Sequence, residues 1–585
     1  MKRLLILASL FINSAVVGQV RVPGEEILQA IEDTPQEEVF VHYNSSLLFV
    51  GEYLYYRLYC LNSETENLSQ LSKIAYVELV GEEGKPVFRH KLALDAGVGQ
   101  GDFFIPPSVP SGNYKLLGYT RWMLNGEEQQ FFSGELVIIN PYNNAQEALL
   151  SGKTTPQGEG FDGGAEKGQS VNASDKLQSP SGLRTDAGTY GRREKVTATL
   201  EGLDPEGNYS LSVRKLEPIQ VPVMKSGNSV VDKISTPFSP EIKSAVWLPE
   251  MRGELFTGVI IPREGSINAS PANKAVSLSI PDEDYILRIS GTDEKGRFFF
   301  NVQDLNLEEE AIIQVLGEDR EKFEVKLQEF PAIDYSRLDF GNFLLTPAMK
   351  DMIIARSVYN QVENAYFEAK PDTLKLKPEA PPFYGQGMQV YQLDEYTRFK
   401  TVKETFVEII KFASIGKDAT GDDVINMVGI NQTVPSSLPP LLIVDGVQVQ
   451  EQGDFINYPA ERIKSIGILR DKYFLGAEVF QGIVDVETLE GNFNVGRNKE
   501  YLHSLNLLRP EPKKYYFRQN YSGENNKSRI PDFRTQLLWD PEVDLNSAPT
   551  VEFFTSDISG DYQLSLEGFT SEGEPVSYRK TIKVE

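Results

Sequence analysis

Three histidines, one cysteine and a surplus of carboxylates are the residues with which this chain could build catalysis or a metal site. His42, His90 and His503 lie far apart, and none belongs to a His-x-x-x-His or His-Glu pattern. That spacing is what places two imidazoles on one helical face around zinc. Histidines on partly exposed strands are the simpler reading. Count alone leaves a Ser–His–Asp triad open, but no Gly-x-Ser-x-Gly elbow presents a serine. Cys60 lies in a strand-like run and reads as a core residue. Asp282-Glu283-Asp284 and Glu308-Glu309-Glu310 lack the glycine and the final glutamate of a calcium loop, and read as solvated surface. No glycine-rich phosphate loop occurs. Acidic residues are too numerous to single out a hydrolytic pair. The expectation is a protein that is not an enzyme, with no catalytic residue, cofactor or metal.

Binding is the chemistry left. Tyr53, Tyr55, Tyr56 and Tyr59 fall on one strand-like run. Alternate side chains of a strand take opposite faces, so the four cannot all point into one core. Tyrosine is enriched at interfaces, and some of these four are expected at one. Cover by a flanking segment is the alternative.

The elements that must position these residues are mostly strands. From Val39 to about Tyr142, runs such as Ala75-Tyr76-Val77-Glu78-Leu79 alternate between turn signals such as Pro110-Ser111-Gly112-Asn113. That predicts a β-sandwich over 38–142. Residues 143–190 hold few large apolar side chains and predict a disordered linker. Strand patterns resume at Glu194 to Leu200 and Tyr209 to Val213, giving a second sandwich over 191–246, and a third over 247–330. Ile353, Ile354, Val358, Val362 and Ala365 recur at helical spacing inside a connector over 331–400. A second helix is expected from about Val402 to Phe412, opening a small α/β region over 401–499. Residues 500–585 read as a last sandwich. The fold class is mainly β: several immunoglobulin-like or macroglobulin-like sandwiches, one small α/β domain and a few helices.

The start of the chain reads as a secretory signal over 1–18. Lys2 and Arg3 precede an apolar run from Leu4 to Ile12, and Val16 and Gly18 fit cleavage before Gln19. The run is too short for the roughly 20 apolar residues that a membrane span needs. A short segment over 19–37 follows. The formal charge of −26 becomes −28 when Lys2 and Arg3 leave with the signal. So acidic a chain argues against nucleic acid and against anionic lipid as partners. With one cysteine no internal disulfide can form, and an exported chain of this size can build its cores without one.

Four stretches resemble known families. Phe49-Val50-Gly51-Glu52, Tyr76-Val77-Glu78-Leu79, Ile105-Pro106-Pro107, Ser111-Gly112-Asn113-Tyr114 and Tyr119-Thr120-Arg121-Trp122-Met123 together resemble the macroglobulin-like MG2 domain of large exported Bacteroidota proteins. Leu538-Trp539-Asp540-Pro541, Phe553-Phe554-Thr555-Ser556-Asp557 and Gly560-Asp561-Tyr562 look like the sandwich of alpha-2-macroglobulins that follows the bait region. Pro440-Leu441-Leu442-Ile443-Val444-Asp445-Gly446, then Ile463 to Asp471, then Gly476 and Gly482-Ile483-Val484-Asp485, resemble the plug domain of TonB-dependent outer-membrane receptors. In that likeness Asp445, Gly446, Ile463, Ile466, Asp471, Gly476 and Gly482 carry the signature. Met251 to about Phe300 is similar to the carboxypeptidase regulatory-like sandwich, which has no catalytic residues to transfer.

Both main resemblances are incomplete. A receptor barrel takes about 22 strands of roughly 10 residues each, and the residues after Phe493 are too few to supply them. Thioester macroglobulins carry Cys-Gly-Glu-Gln, whereas Cys60 is followed by Leu61-Asn62. The resemblances therefore imply a non-catalytic scaffold in the periplasm or at the cell surface, associated with the outer membrane. Its plug-like domain would dock on a β-barrel partner. A stand-alone binder of glycan or peptide is the alternative, and a macroglobulin-type protease inhibitor is a third reading.

Overall fold

The chain lays its strands down in one order and pairs them in another. The structure is a computed structural model that describes residues 34–126, 130–143, 146–150, 182–230, 247–282, 284–303, 310–330, 332–375, 382–418, 420–493, 499–522, 529–546 and 548–585. The signal expected over 1–18, residues 19–33 of the next segment and residues 151–181 of the expected linker lie outside the described residues.

β1 (Glu37–Tyr43), β2 (Leu47–Phe49), β3 (Tyr53–Asn62), β4 (Ile74–Gly81), β5 (Pro86–Ala93), β6 (Val98–Phe104), β7 (Gly112–Tyr119) and β8 (Phe132–Ile139) build sandwich I. Its sheets run β1-β3-β6 and β2-β8-β7-β4-β5. Tyr56, Leu58 and Cys60 of β3 stand opposite Tyr43, Val41 and Val39 of β1. This set faces the second sheet, where Gly118 and Gly134 leave room for Val41 and the Tyr43 ring.

β9 (Leu183–Thr185), β10 (Thr189–Tyr190), β11 (Lys195–Leu200) and β12 (Asn208–Lys215) begin sandwich II, but do not complete it. β13 (Glu254–Pro262), β14 (Ala275–Ile280), β15 (Ile286–Gly291), β16 (Arg297–Val302), β17 (Glu310–Val315) and β18 (Phe323–Leu327) begin sandwich III, with sheets β16-β13-β18 and β15-β14-β17. Helix α1 (Lys350–Ala365) and β19 (Thr373–Leu374) follow.

The α/β module comprises β20 (Gln389–Gln392), α2 (Val402–Glu408), β21 (Ala413–Lys417), β22 (Asp423–Met427), β23 (Leu441–Val444), β24 (Val447–Gln448), α3 (Gln452–Ile456), β25 (Ile463–Leu475) and β26 (Glu478–Thr488). Its main sheet runs β20-β25-β26-β23-β24, with β23 and β26 parallel. Thr401 starts α2 with a capping box to Glu404. That helix stops at Glu408, with Ile409 as its C-cap, before the expected Phe412, which takes φ 69°.

Only then do the missing strands arrive. β27 (Leu502–Asn506) adds to β17 and completes sandwich III. β28 (Lys514–Tyr515) pairs with β19. β29 (Gln536–Asp540), β30 (Thr550–Phe554), β31 (Gly560–Phe569) and β32 (Pro575–Val584) complete sandwich II as β10-β32-β31-β12-β29 over β30-β11-β9. The α/β module is thus inserted in sandwich III, and both are inserted in sandwich II. The sandwiches expected separately over 191–246 and 500–585 are two halves of one. Local patterning reveals strands but not partners, and closing a long loop costs only slightly more than closing a short one.

The helix face also differs from expectation. Met352 and Ile353 pack toward Leu47 and Phe49, but the buried centre of α1 is Arg356, Ser357 and Asn360. Ile354 and Val358, which the apolar spacing placed inward, are about half exposed.

Nesting generates a test. β12 lies between β29 and β31, so removing 529–585 strips both its neighbours. Limited proteolysis of the truncated chain is expected to cut within 183–215, a region protected in the full chain. Continued protection of 183–215 would show that those strands form a domain of their own.

Candidate functional site

The plug-signature residues are spent on turns and on packing inside the chain. Asp445 and Gly446 make the tight turn between β23 and β24, with φ of 48° and 76°. The Asp445 carboxylate accepts from Thr488 N and Oγ1, both at 2.7 Å, and from Phe493 N at 2.9 Å. Those bonds tie the turn to the end of β26. A Cβ on Gly446 would meet Tyr285 Cβ at 2.7 Å, and one on Gly476 would meet Ile289 O at 2.5 Å. Both turns therefore dock on sandwich III, beside β15. Ile463 and Ile466 are core residues, fully buried. Gly482 faces the irregularity of β25 between Leu469 and Lys472, against Met427 and Leu469. Asp471 is exposed at that irregularity. The structure brings Asp445, Gly446 and Gly476 to one neighbour and leaves Asp471 apart.

The same contact holds a group that sequence reasoning missed. Asp485 accepts from Tyr285 Oη at 2.8 Å and from Tyr384 Oη at 3.2 Å. Burial pushes its carboxyl up to about 6, against the pull of those two hydrogen bonds. A carboxylate between the buried Val484 and Val486 was the available signal.

β3 divides its tyrosines between its two faces. Tyr56 points into sandwich I, stacked on Phe88, and its hydroxyl lies 2.7 Å from His90 Nδ1. Tyr53, Tyr55 and Tyr59 take the other face. Tyr59 donates to Ser210 Oγ at 2.8 Å and packs on Phe569, both in sandwich II. Tyr55 stacks on Trp539 and meets Tyr516 edge-on. Tyr53 lies between Phe104, at 5.2 Å, and Phe367, at 6.1 Å, and is half-buried. Two of the four thus serve an interface within the chain, one serves the core, and Tyr53 reaches the surface.

Ser210 also sits 2.6 Å from His42 Nδ1, the distance of a nucleophile from its base. No substrate can reach this pair: Ser210 is 0% exposed and His42 4%. Burial, aided by the charge of Arg579, pushes His42 down to about 3 and keeps its ring neutral. The pair is a cross-link between sandwiches I and II.

A buried carboxylate, Glu52, stands in the turn before β3. Its carboxylate accepts from Arg356 Nε at 2.7 Å, Arg356 Nη2 at 2.8 Å and Arg214 Nη2 at 2.8 Å. Arg356 also donates to Leu47 O at 2.9 Å and lies 4.5 Å over the Phe49 ring. Glu217 stands 3.4 Å from Arg356 Nη1. Burial alone would raise the Glu52 carboxyl, but the two guanidinium groups override it and hold it at about 2. The node joins sandwich I, α1 and sandwich II. Gly51, at φ 86°, lets α1 approach: a Cβ there would meet Asn364 Nδ2 at 2.8 Å.

Against known proteins, no family model matches the chain and no curated protein matches it. Among solved structures it is similar to a mutant alpha-2-macroglobulin of Salmonella, at 9% identity and TM-score 0.23, over 94% of this chain and 39% of that one. It is similar to trypsin-activated alpha-2-macroglobulin from Escherichia coli at 9% identity and TM-score 0.22, over 93% and 41%. A beta-glucosidase from Listeria innocua is similar over 17% of this chain and 16% of its own, at 17% identity and TM-score 0.13. The chain spans about two fifths of the alpha-2-macroglobulins it resembles. Likenesses this slight assign no activity.

Two predictions follow from the buried charges. E52Q leaves two buried guanidinium groups without a full counter-charge, and denaturant unfolding should show a loss of about 3–5 kcal/mol. Because the Glu52 carboxyl falls from an ordinary 4.5 to about 2, its contribution is complete above pH 4.5. The gap between wild type and E52Q should therefore narrow as pH drops from 4.5 toward 2. An unchanged unfolding midpoint at neutral pH would remove Glu52 from this role.

His42 acts over another range. It falls from an ordinary 6.5 to about 3, so wild type should lose stability as pH drops between those values. The slope is up to about 1.4 kcal/mol per pH unit. H42Q should lack that component, and equal slopes in both proteins would show that His42 takes up a proton while folded.

Proposed function

We propose that this chain is a non-catalytic binding scaffold, exported and associated with the outer membrane, whose α/β module docks on a β-barrel partner. The observation that carries the reading is one apolar surface that the module's packing on sandwich III leaves uncovered. Phe412, Ile430 and Val434 are 45%, 50% and 67% exposed. Arg470 ties the surface together: it donates to Val428 O at 3.0 Å and Gly429 O at 2.8 Å, and its guanidinium lies 3.7 Å over the Phe412 ring. Beneath it, Gly482 of the plug signature packs on Met427.

Phe412 and Asn431 both hold positive φ, at 69° and 61°. For a bulky aromatic residue that conformation is strained, and such strain clusters at functional surfaces. Exposed apolar groups gathered in one place mark docking sites more often than chance leaves them. The resemblance to receptor plugs supplies the kind of partner.

Sealed chemistry supports the non-catalytic part of the reading. Ser210 and His42 are buried together, and Cys60 is fully buried with its thiol pushed well up by burial. The test is isolation of the native protein from gently solubilised outer membranes. A β-barrel protein is expected to co-purify with the wild type and to be lost with V434D, whose unfolding midpoint should not move. Recovery of the wild-type chain with no barrel protein would overturn the reading.

A further inference from the structure

Where the Glu52 turn meets α1, a cleft of about 340 Å³ opens to solvent. Gly51, Phe104, Pro107, Tyr142, Gln361 and Asn364 line it, and among the described residues no charged side chain does. The volume lies at the lower end of the range for small-ligand sites, and an apolar wall with a few fixed polar groups is their usual make-up.

The wall is aromatic. Phe104 and Tyr142 are 39% and 53% exposed. Tyr53 continues the wall from Phe104 to Phe367, whose ring lies within 11° of parallel to that of Tyr53 and is half exposed. Ring faces carry partial negative charge and attract polarised C–H groups laid flat upon them.

The polar groups are held in place. Gln361 Nε2 donates to Tyr142 Oη at 3.0 Å, and Asn364 Nδ2 donates to Gly51 O at 3.1 Å. With those N–H groups engaged, each amide is fixed and its carbonyl oxygen has no other partner among the described residues. An amide oxygen accepts, so it calls for a ligand that donates.

The main chain here is already paired. Gly51 N donates to Ile105 O at 2.8 Å, Ile105 N to Glu52 O at 3.0 Å and Val50 N to Ile139 O at 3.1 Å. The N–H groups of Val50, Gly51 and Ile105 are therefore not free to pair with an extended peptide. The prolines of a proline-rich segment could lie on the rings, but they bring no N–H for the amide oxygens. A sugar offers both a flat C–H face and hydroxyl donors. The chain's formal charge of −26 disfavours acidic glycans.

We propose that this cleft is a binding site for a neutral oligosaccharide, its sugar rings stacked on Phe104 and Tyr142 and its hydroxyls bonded to Gln361 and Asn364. The proposal does not depend on docking by the α/β module.

Calorimetric titration of the full chain with cellohexaose, laminarihexaose and maltohexaose tests it, with a proline-rich peptide in parallel. At least one of the three sugars should bind. F104A and Y142A should each weaken that binding by about tenfold, in line with the worth of an aromatic contact. Both side chains are exposed, so their unfolding midpoints should match wild type, and N364A, which removes the acceptor, should weaken binding without unfolding the chain. The proposal is overturned if none of the sugars binds at about 10 mM, a concentration that detects affinities near −3 kcal/mol. It is equally overturned if folded F104A and Y142A bind sugar as wild type does, or if the peptide alone binds.

Discussion

A single carboxylate joins sandwich I, α1 and sandwich II. Glu52 receives three hydrogen bonds from two guanidinium groups, one on α1 and one on β12, and all three residues are buried. Taking such charges out of water costs several kcal/mol each, which only close geometry and full pairing can offset. The arrangement therefore tolerates little displacement. It sets where sandwich II meets sandwich I, and where α1 crosses the Gly51 turn. The cleft inherits its shape from that crossing, since Gln361 and Asn364 sit on the same helix as Arg356.

Nesting explains why so much of the remaining polar chemistry is internal. Each outer sandwich is closed by strands that arrive after the inner domain is complete. The modules must then be held in register by contacts between them. Lys91 of sandwich I pairs with Glu254 of β13 at 2.6 Å, and Arg121 donates to Leu255 O at 2.7 Å. Lys514 reaches back to Asp102 of β6 at 2.8 Å. Sandwich III and the α/β module go further and share one apolar core, in which Phe300 and Val315 belong with Val444 and Phe455. A chain wired this way presents its outer surfaces in fixed relation.

Much of this was legible from the residues. Strand alternation located the sandwich I elements, the glycine and asparagine turns separated them, and the split of the β3 tyrosines followed from a period of two. The helix expected from about Val402 is α2, though it ends earlier than Phe412. Three features escaped, each for a physical reason. The pairing of β12 with β29 and β31 joins segments more than 300 positions apart, and no local pattern encodes it. The buried face of α1 is polar, so its apolar spacing pointed to the wrong side. Arg356 finds its partner Glu52 at a separation of 304 residues, which composition cannot reveal. Of the candidate site, the sequence exposed Tyr53 but not Phe104, Tyr142 or Phe367, which join it only through folding.

The claim beneath all of this is that the domains form one mechanically coupled body. Differential scanning calorimetry tests it most directly. A coupled body predicts a single unfolding transition in which the calorimetric and van't Hoff enthalpies agree, splitting into separate transitions when E52Q removes the node. Independent transitions for the sandwiches in the wild-type chain, unmoved by E52Q, would contradict it.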